Sequence, residues 1–242
     1  MTAWEFRLGD APQSIDLLRG LKPNERDAVL RAGRPRRFPA KSVMTYQGDP
    51  ADYLLLLWKG RARYFHEAIY DRKLILKWIT LGHTFGGAAL VSGPANYLVS
   101  TEAVRDCVVV EWDGPTIRGL ARRFPLLLEN AHRIAMDYVS WYVSAHAALI
   151  LESARQRLAS VILGLAKTVG EKTSAGIEID VTNQELADSA NITPHTASRL
   201  IGTWQKSGSI RKTKGKITLL SHQLGSSEVH LRGRRVLASR LV

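Results

Sequence analysis

The chain's 242 residues are too many for one small domain and suit two compact ones. Apolar residues make up 45% of it, enough to bury real cores, which excludes a chain disordered by composition. A formal net charge of +12 favours a polyanionic partner, whether DNA, RNA or an anionic membrane surface, without choosing among them.

The opening "MTAWEFRLGDAPQS" lacks the apolar centre of a secretory signal, and no apolar run approaches about twenty residues. A soluble, cytoplasmic protein with no membrane partner is therefore expected. "SIDLLRGLKPNERDAVLRAG" reads as one or two short helices. From about residue 38 to 112, "SVMTY", "YLLLLWKG", "RARYFHEA", "LILKWITLG", "TFGGAALVSGP" and "DCVVVEW" read as short strands. Turn signals between them recur at roughly ten-residue spacing, which predicts an antiparallel sandwich or barrel. The lone cysteine, Cys107, excludes a disulfide framework, a four-thiolate zinc site and an ordinary iron–sulfur cluster within one chain. In "CVVV" it reads as a small apolar residue of a buried strand rather than as a redox sensor.

From about 115 to 150 the pattern turns helical. Leu127, Ala131, Ile134, Tyr138, Trp141, Ala145 and Ala148 advance by alternating steps of four and three, the a/d seam of a coiled coil. Polar neighbours Arg133, Asp137, Ser140 and Ser144 keep the stripe narrow, which favours pairing with a second copy over packing on its own domain. "LESARQRLASVILGLAKTVG" predicts another amphipathic helix, and "KTSAGIEIDV" a turn-rich approach to the next segment.

That segment is "VTNQELADSANITPHTASRLIGTWQKSGSI". Thr182 and Glu185 form a capping box opening a helix of about two turns, which "NI" breaks. Thr193 then caps a second helix with Pro194 at its first position, where the missing N–H costs little. Ala197, Leu200, Ile201 and Trp204 face inward at helical spacing, and His195, Ser198, Arg199 and Gly202 lie opposite. This is the layout of a helix-turn-helix. Gly208 stops the helix, and "SIRKTKGKITLL" alternates into a hairpin around Lys214 and Gly215, a wing whose Lys212, Lys214 and Lys216 meet phosphates. Thr193, Pro194, His195, Thr196, Ser198, Arg199 and Lys206 complete the expected DNA-facing set. A two-fold dimer would present two such helices to major grooves about 34 Å apart.

On these motifs the chain resembles the Crp–Fnr family of bacterial transcription regulators, over nearly its whole length. "TNQELADSANITPHTASRLIGTWQKSG" is similar to the family's helix-turn-helix, especially in its Fnr and FixK branch. "VMTYQGDPADYLLLLWKGRARYF" resembles its cyclic-nucleotide-binding-type β-roll, and "TFGGAALVSGPANYLVSTEAVRD" falls where cAMP-binding members keep a phosphate cassette. The resemblance implies an α+β fold: a sensor-type β-roll with short leading helices over 1–114, a long dimerisation helix over 115–151, and a winged helix-turn-helix with a basic tail over 152–242.

Where cAMP-binding members carry a glutamate for the ribose and an Arg-Ser pair for the cyclic phosphate, this chain has Gly87, Tyr97 and Leu98. Together with Gly86 they mark an effector pocket too apolar for cAMP. The N-terminal cysteine group of Fnr-type oxygen sensing is missing as well. The resemblance further implies that Arg199 contacts a guanine, with Ser198 beside it on a thymine or phosphate. His195 replaces a glutamate and should change the base read there. The effector stays open among an apolar small molecule, haem on His83 or His66, and none at all, with constitutive binding; no cofactor is assigned. The expected partners are double-stranded DNA, a second copy of the chain, and RNA polymerase if the protein activates. A non-specific nucleic-acid-binding protein is the alternative. An enzyme is disfavoured because no Ser-His-Asp constellation, zinc spacing or phosphate loop is visible.

Overall fold

Past Gly33, short runs of branched and aromatic residues alternate with Gly, Pro and Asp turns, and the chain there folds into strands β1 (Arg34–Phe38), β2 (Val43–Thr45), β3 (Tyr53–Lys59), β4 (Ala62–Ala68), β5 (Arg72–Ile79), β6 (Thr84–Phe85), β7 (Ser100–Ala103) and β8 (Cys107–Asp113). The computed structural model describes residues 12, 14–68, 72–220 and 224. The opening stretch read for a signal segment lies mostly outside the described residues, and the tail "SSEVHLRGRRVLASRLV" lies wholly outside them. The chain divides into two compact units, Met1–Ser140 and Trp141–Val242.

In the first unit the strands form two four-stranded antiparallel sheets, β1-β8-β3-β6 and β2-β7-β4-β5. The unbroken apolar run of β3 is explained by burial on both faces. Leu55 and Leu57 join Phe38, Tyr64, Ile79, Phe85 and Val109 in one cluster. Leu54, Leu56 and Trp58 join Leu17, Leu18, Val29, Trp112 and Ile117 in another, beneath the helices. Those helices are a 3-10 turn at Asp16–Leu18, α1 (Pro23–Ala32) and α2 (Gly114–Arg123). Asp113 caps α2, accepting from the Thr116 N–H at 2.8 Å.

Three expectations for this unit are corrected. Strands β1 and β7 went unrecognised because "RPRRF" and "STEA" carry little apolar signal. "TFGGAALVSGP" is not one strand: Gly86 at φ +77° ends β6 after two residues, and a 3-10 turn, Gly87–Leu90, follows. The single helix expected over 115–151 is two, α2 and α3 (Leu126–Leu151), broken ahead of Pro125 because proline has no N–H to continue the first.

The second unit holds α4 (Ala154–Val169), β9 (Glu171–Thr173), β10 (Gly176–Asp180), α5 (Asn183–Ala190), α6 (Pro194–Lys206), β11 (Ile210–Thr213) and β12 (Lys216–Leu219). Ser153 and Gln156 form a capping box at the start of α4. The stretch read only as a turn-rich approach is a hairpin, β9–β10, and it completes a sheet ordered β11-β12-β10-β9. The wing is thus the outer hairpin of a four-stranded sheet.

Candidate nucleic-acid interface

The start of α6 is fixed by its own sequence. The Thr193 hydroxyl accepts from the Thr196 N–H at 3.1 Å, Pro194 follows at the first helical position, and the Thr193 and Thr196 hydroxyls meet at 2.9 Å. Thr196 is therefore partly turned to its cap. The turn before α6 comes from Asn191, left-handed at φ 49°, which ends α5. The Thr182–Glu185 capping box starts α5 as the spacing predicts.

Ala197, Leu200, Ile201 and Trp204 are buried, so α6 cannot rotate about its axis. Pro194, His195, Ser198, Arg199 and Lys206 are consequently all exposed, and His195, Ser198 and Arg199 share one side of the helix. Thr203 and Gln205 are exposed as well, Thr203 donating its hydroxyl to the Arg199 carbonyl at 3.1 Å. Arg211 on β11 is a further exposed cation that the lysine pattern of the wing had hidden.

The wing lysines do not act alike. In the hairpin Thr213 pairs with Lys216, and Lys214 stands exposed at the tip. Lys212 is partly buried. Lys216 is exposed as well, and its Nζ donates to Glu178 Oε1 at 2.6 Å, a hydrogen-bonded carboxylate that raises its pKa.

In the first unit, the residues offered as an effector pocket separate. Tyr97 is buried at 9% exposure, and its hydroxyl accepts from the Tyr53 N–H and donates to the Tyr53 carbonyl, both at 3.1 Å. A Cβ at Gly86 would lie 2.5 Å from the Tyr53 carbonyl oxygen and 3.2 Å from the Tyr97 ring, so this corner is filled. Gly87 is exposed. Leu98 is at 79% exposure, since adjacent residues of an extended segment face opposite sides.

Neither histidine offered for haem is a bare loop group. His66 Nδ1 lies 2.6 Å from Gln47 Oε1. His83 sits edge-on to Tyr64, with its pKa lowered to about 4 by burial first and by the neighbouring Lys77 second, against a smaller opposing pull from Asp16. Cys107 is buried, its thiol directed at the carbonyls of Arg61 and Arg105, and burial raises its pKa to about 11. A buried thiol with a raised pKa holds little of the reactive thiolate near neutral pH.

The residues expected to form a dimerisation seam differ in exposure. Leu127 is fully buried in the first unit's core, Ala131 and Ile134 pack against the same core, and Tyr138 meets Tyr64 edge-on at 5.9 Å. Trp141, Ala145 and Ala148 are partly buried. Leu127, Ala131, Ile134 and Tyr138 thus spend their apolar faces on the first unit. One position further along, Leu128, His132, Ala135, Val139, Tyr142, His146 and Leu149 keep the same steps of four and three and are all exposed. Met136, Val143 and Ile150 flank them, Tyr142 at 54% and Val143 at 60% exposure. Tyr142 and His146 stack along this stripe. By length and composition α3 is apolar enough to cross a membrane, although polar residues interrupt its apolar runs. Its Glu129, Arg133 and Asp137, and the heptad spacing of its exposed residues, fit a helical partner better than lipid.

Comparison with known proteins joins the two units. The cyclic nucleotide-binding domain profile matches residues 35–124, and the Crp-like helix-turn-helix domain profile matches residues 156–224. The cyclic AMP receptor protein of Thermus thermophilus is 28% identical, covering 83% of this chain and 90% of its own length. A CRP-like cAMP-activated global transcriptional regulator of Mycobacterium tuberculosis is 22% identical, over 85% of this chain and 92% of its own. Among solved structures, the c-di-GMP-responsive global regulator CLP of Xanthomonas campestris superposes with a TM-score of 0.73 at 19% identity, over 83% of this chain and all of that one. FixK2 of Bradyrhizobium japonicum does so at 0.69 and 17% identity, over 79% and 94%.

Proposed function

Because the chain belongs to the Crp–Fnr family of transcription regulators, we propose that it is a cytoplasmic homodimer that reads a two-fold symmetric operator with α6 and does so without cAMP. The observation that carries this reading is the side of α6 on which His195, Ser198 and Arg199 stand exposed together, over a face locked by Ile201 and Trp204. Arg199 supplies a guanidinium fork that fits guanine O6 and N7. His195 reads its base through an imidazole that both donates and accepts. Lys206, Lys214 and Arg211 supply charge for phosphates, which positions the helix without choosing a sequence.

The second copy pairs through Leu128, Ala135, Val139, Tyr142 and Leu149, the exposed stripe of α3, rather than through the neighbouring stripe that begins at Leu127. The absence of cAMP control is supported by Tyr97, whose hydroxyl is committed to the Tyr53 backbone, and by Leu98, which is turned outward. Neither offers a cation to a cyclic phosphate.

The test is selection of binding sites from random duplex DNA by the purified chain with no ligand added. Two inverted half-sites, each with a guanine, are the expected result, and His195→Glu should shift the preference at one base pair per half-site. Binding that weakens steeply with salt but ranks all duplexes alike identifies a non-specific nucleic-acid-binding protein instead.

A further inference from the structure

Arg157 holds three carbonyl oxygens that belong to separate parts of the second unit. Its Nη1 donates to the Glu152 carbonyl at 2.6 Å, its Nε to the Ala190 carbonyl at 3.0 Å and its Nη2 to the Asn191 carbonyl at 3.4 Å. Glu152 immediately follows α3, and its own N–H donates to the Ala148 carbonyl at 2.9 Å. Ala190 is the last residue of α5, and Asn191 is the left-handed residue that turns the chain toward α6. One partly buried cation therefore closes the exit of α3 onto the turn of the helix-turn-helix.

The chemistry suits an arginine. The final carbonyls of a helix have no partner within it and carry partial negative charge. A guanidinium presents five donors in one rigid plane and can span several such oxygens at once, whereas a lysine ammonium is a single point on a flexible stem. Nothing in the fold of α4 asks for this reach, since Ser153 and Gln156 already cap its start.

We propose that Arg157 is a positioning residue that sets the angle between the end of α3 and the reading head, and thereby the half-site spacing the dimer accepts. The proposal rests on the dimeric DNA-reading function given above. When two heads are joined stiffly, binding of the first places the second at high effective concentration for one spacing only; a loose joint spreads that concentration over several spacings. One inserted base pair moves the second half-site by about 3.4 Å and turns it by roughly 35°. A stiff dimer cannot follow both changes.

The experiment uses three duplexes built on the operator selected by the wild-type chain: the operator, the same with one base pair inserted between half-sites, and a single half-site. The wild type should bind the inserted duplex at least roughly tenfold more weakly than the operator. Arg157→Lys and Arg157→Ala should bind the single half-site within about twofold of wild type yet discriminate between the two spacings by only about two- to threefold. Lysine is the decisive variant, and both are also followed by thermal melting. Retention of the wild-type spacing ratio overturns the proposal. So does an equal loss on all three duplexes, or a variant that melts too early to bind the half-site, since Arg157 would then serve only the fold of the head. If the wild type itself shows no preference for paired half-sites, it is the dimeric reading that fails.

Discussion

Arg199 and Ser198 sit side by side at the surface of α6, but only Arg199 has a group that distinguishes guanine from every other base in the major groove. Replacing it by alanine should cost about 1–3 kcal/mol of operator binding and make one position of each half-site indifferent to sequence. Competition gel shifts against single-base operator variants measure both effects. His83 gives a residue-scale prediction of another kind. Its pKa falls from 6.5 to about 4 on folding, so the unfolded chain takes up a proton that the folded one refuses. The folded state is favoured fully above about pH 6.5 and loses that advantage as pH falls toward about 4. Melting curves of the wild type should drop through this window, and His83→Phe should flatten the drop. Equal pH profiles for the two proteins would remove His83 as the cause.

At the scale of single elements, α3 presents two adjacent stripes with the same spacing and different uses. Truncating Leu127 to alanine leaves a cavity in the first unit's core and should lower its stability by about 2–5 kcal/mol without touching association. Tyr142→Glu, on the exposed stripe, should dissociate the dimer in sedimentation runs while leaving the melting of each unit near wild type. The reverse outcome would restore the Leu127 stripe as the interface. The heptad reading of the sequence could not separate these stripes, because a step of one residue changes which side of the helix a residue faces but not the period. By contrast α6 was legible in full: a threonine cap, a proline at the first turn and four inward apolar residues leave one exposed face and no alternative. The wing was legible as a hairpin, but its lysines were not equivalent, since the Glu178 that engages Lys216 lies 38 residues away along the chain. Adjacency in the chain does not tell that Tyr97 turns inward while Leu98 stands at the surface. Arg157 left no mark in the sequence at all, its acceptors being backbone carbonyls up to 34 residues distant.

At the scale of the whole molecule, the chain carries a cyclic nucleotide-binding type of unit and a Crp-like helix-turn-helix, and the proposed independence from cAMP makes a prediction for the two together. A cyclic phosphate brought against this surface would exchange its water for the backbone around the Gly87–Leu90 turn and the filled Tyr97 corner. Each charge-assisted hydrogen bond left unmade there forfeits about 1.5–3 kcal/mol. With two or three such bonds missing, an affinity in the micromolar range falls to one beyond useful concentrations. A ligand present at about a hundred times its Kd stabilises the unit it binds by about 2.7 kcal/mol, several degrees in the melting of a unit this size. Millimolar cAMP should therefore leave the melting of this chain unchanged, and the operator gel shift should be the same with and without it. A rise of several degrees, or an operator affinity that depends on cAMP, would mean that the nucleotide finds partners other than the residues at Gly87, Tyr97 and Leu98. If both stay flat while the selected operator is bound tightly, DNA binding is controlled by another ligand class or is permanently on. The free chain then binds DNA in the conformation described here, with the exit of α3 already closed onto the reading head.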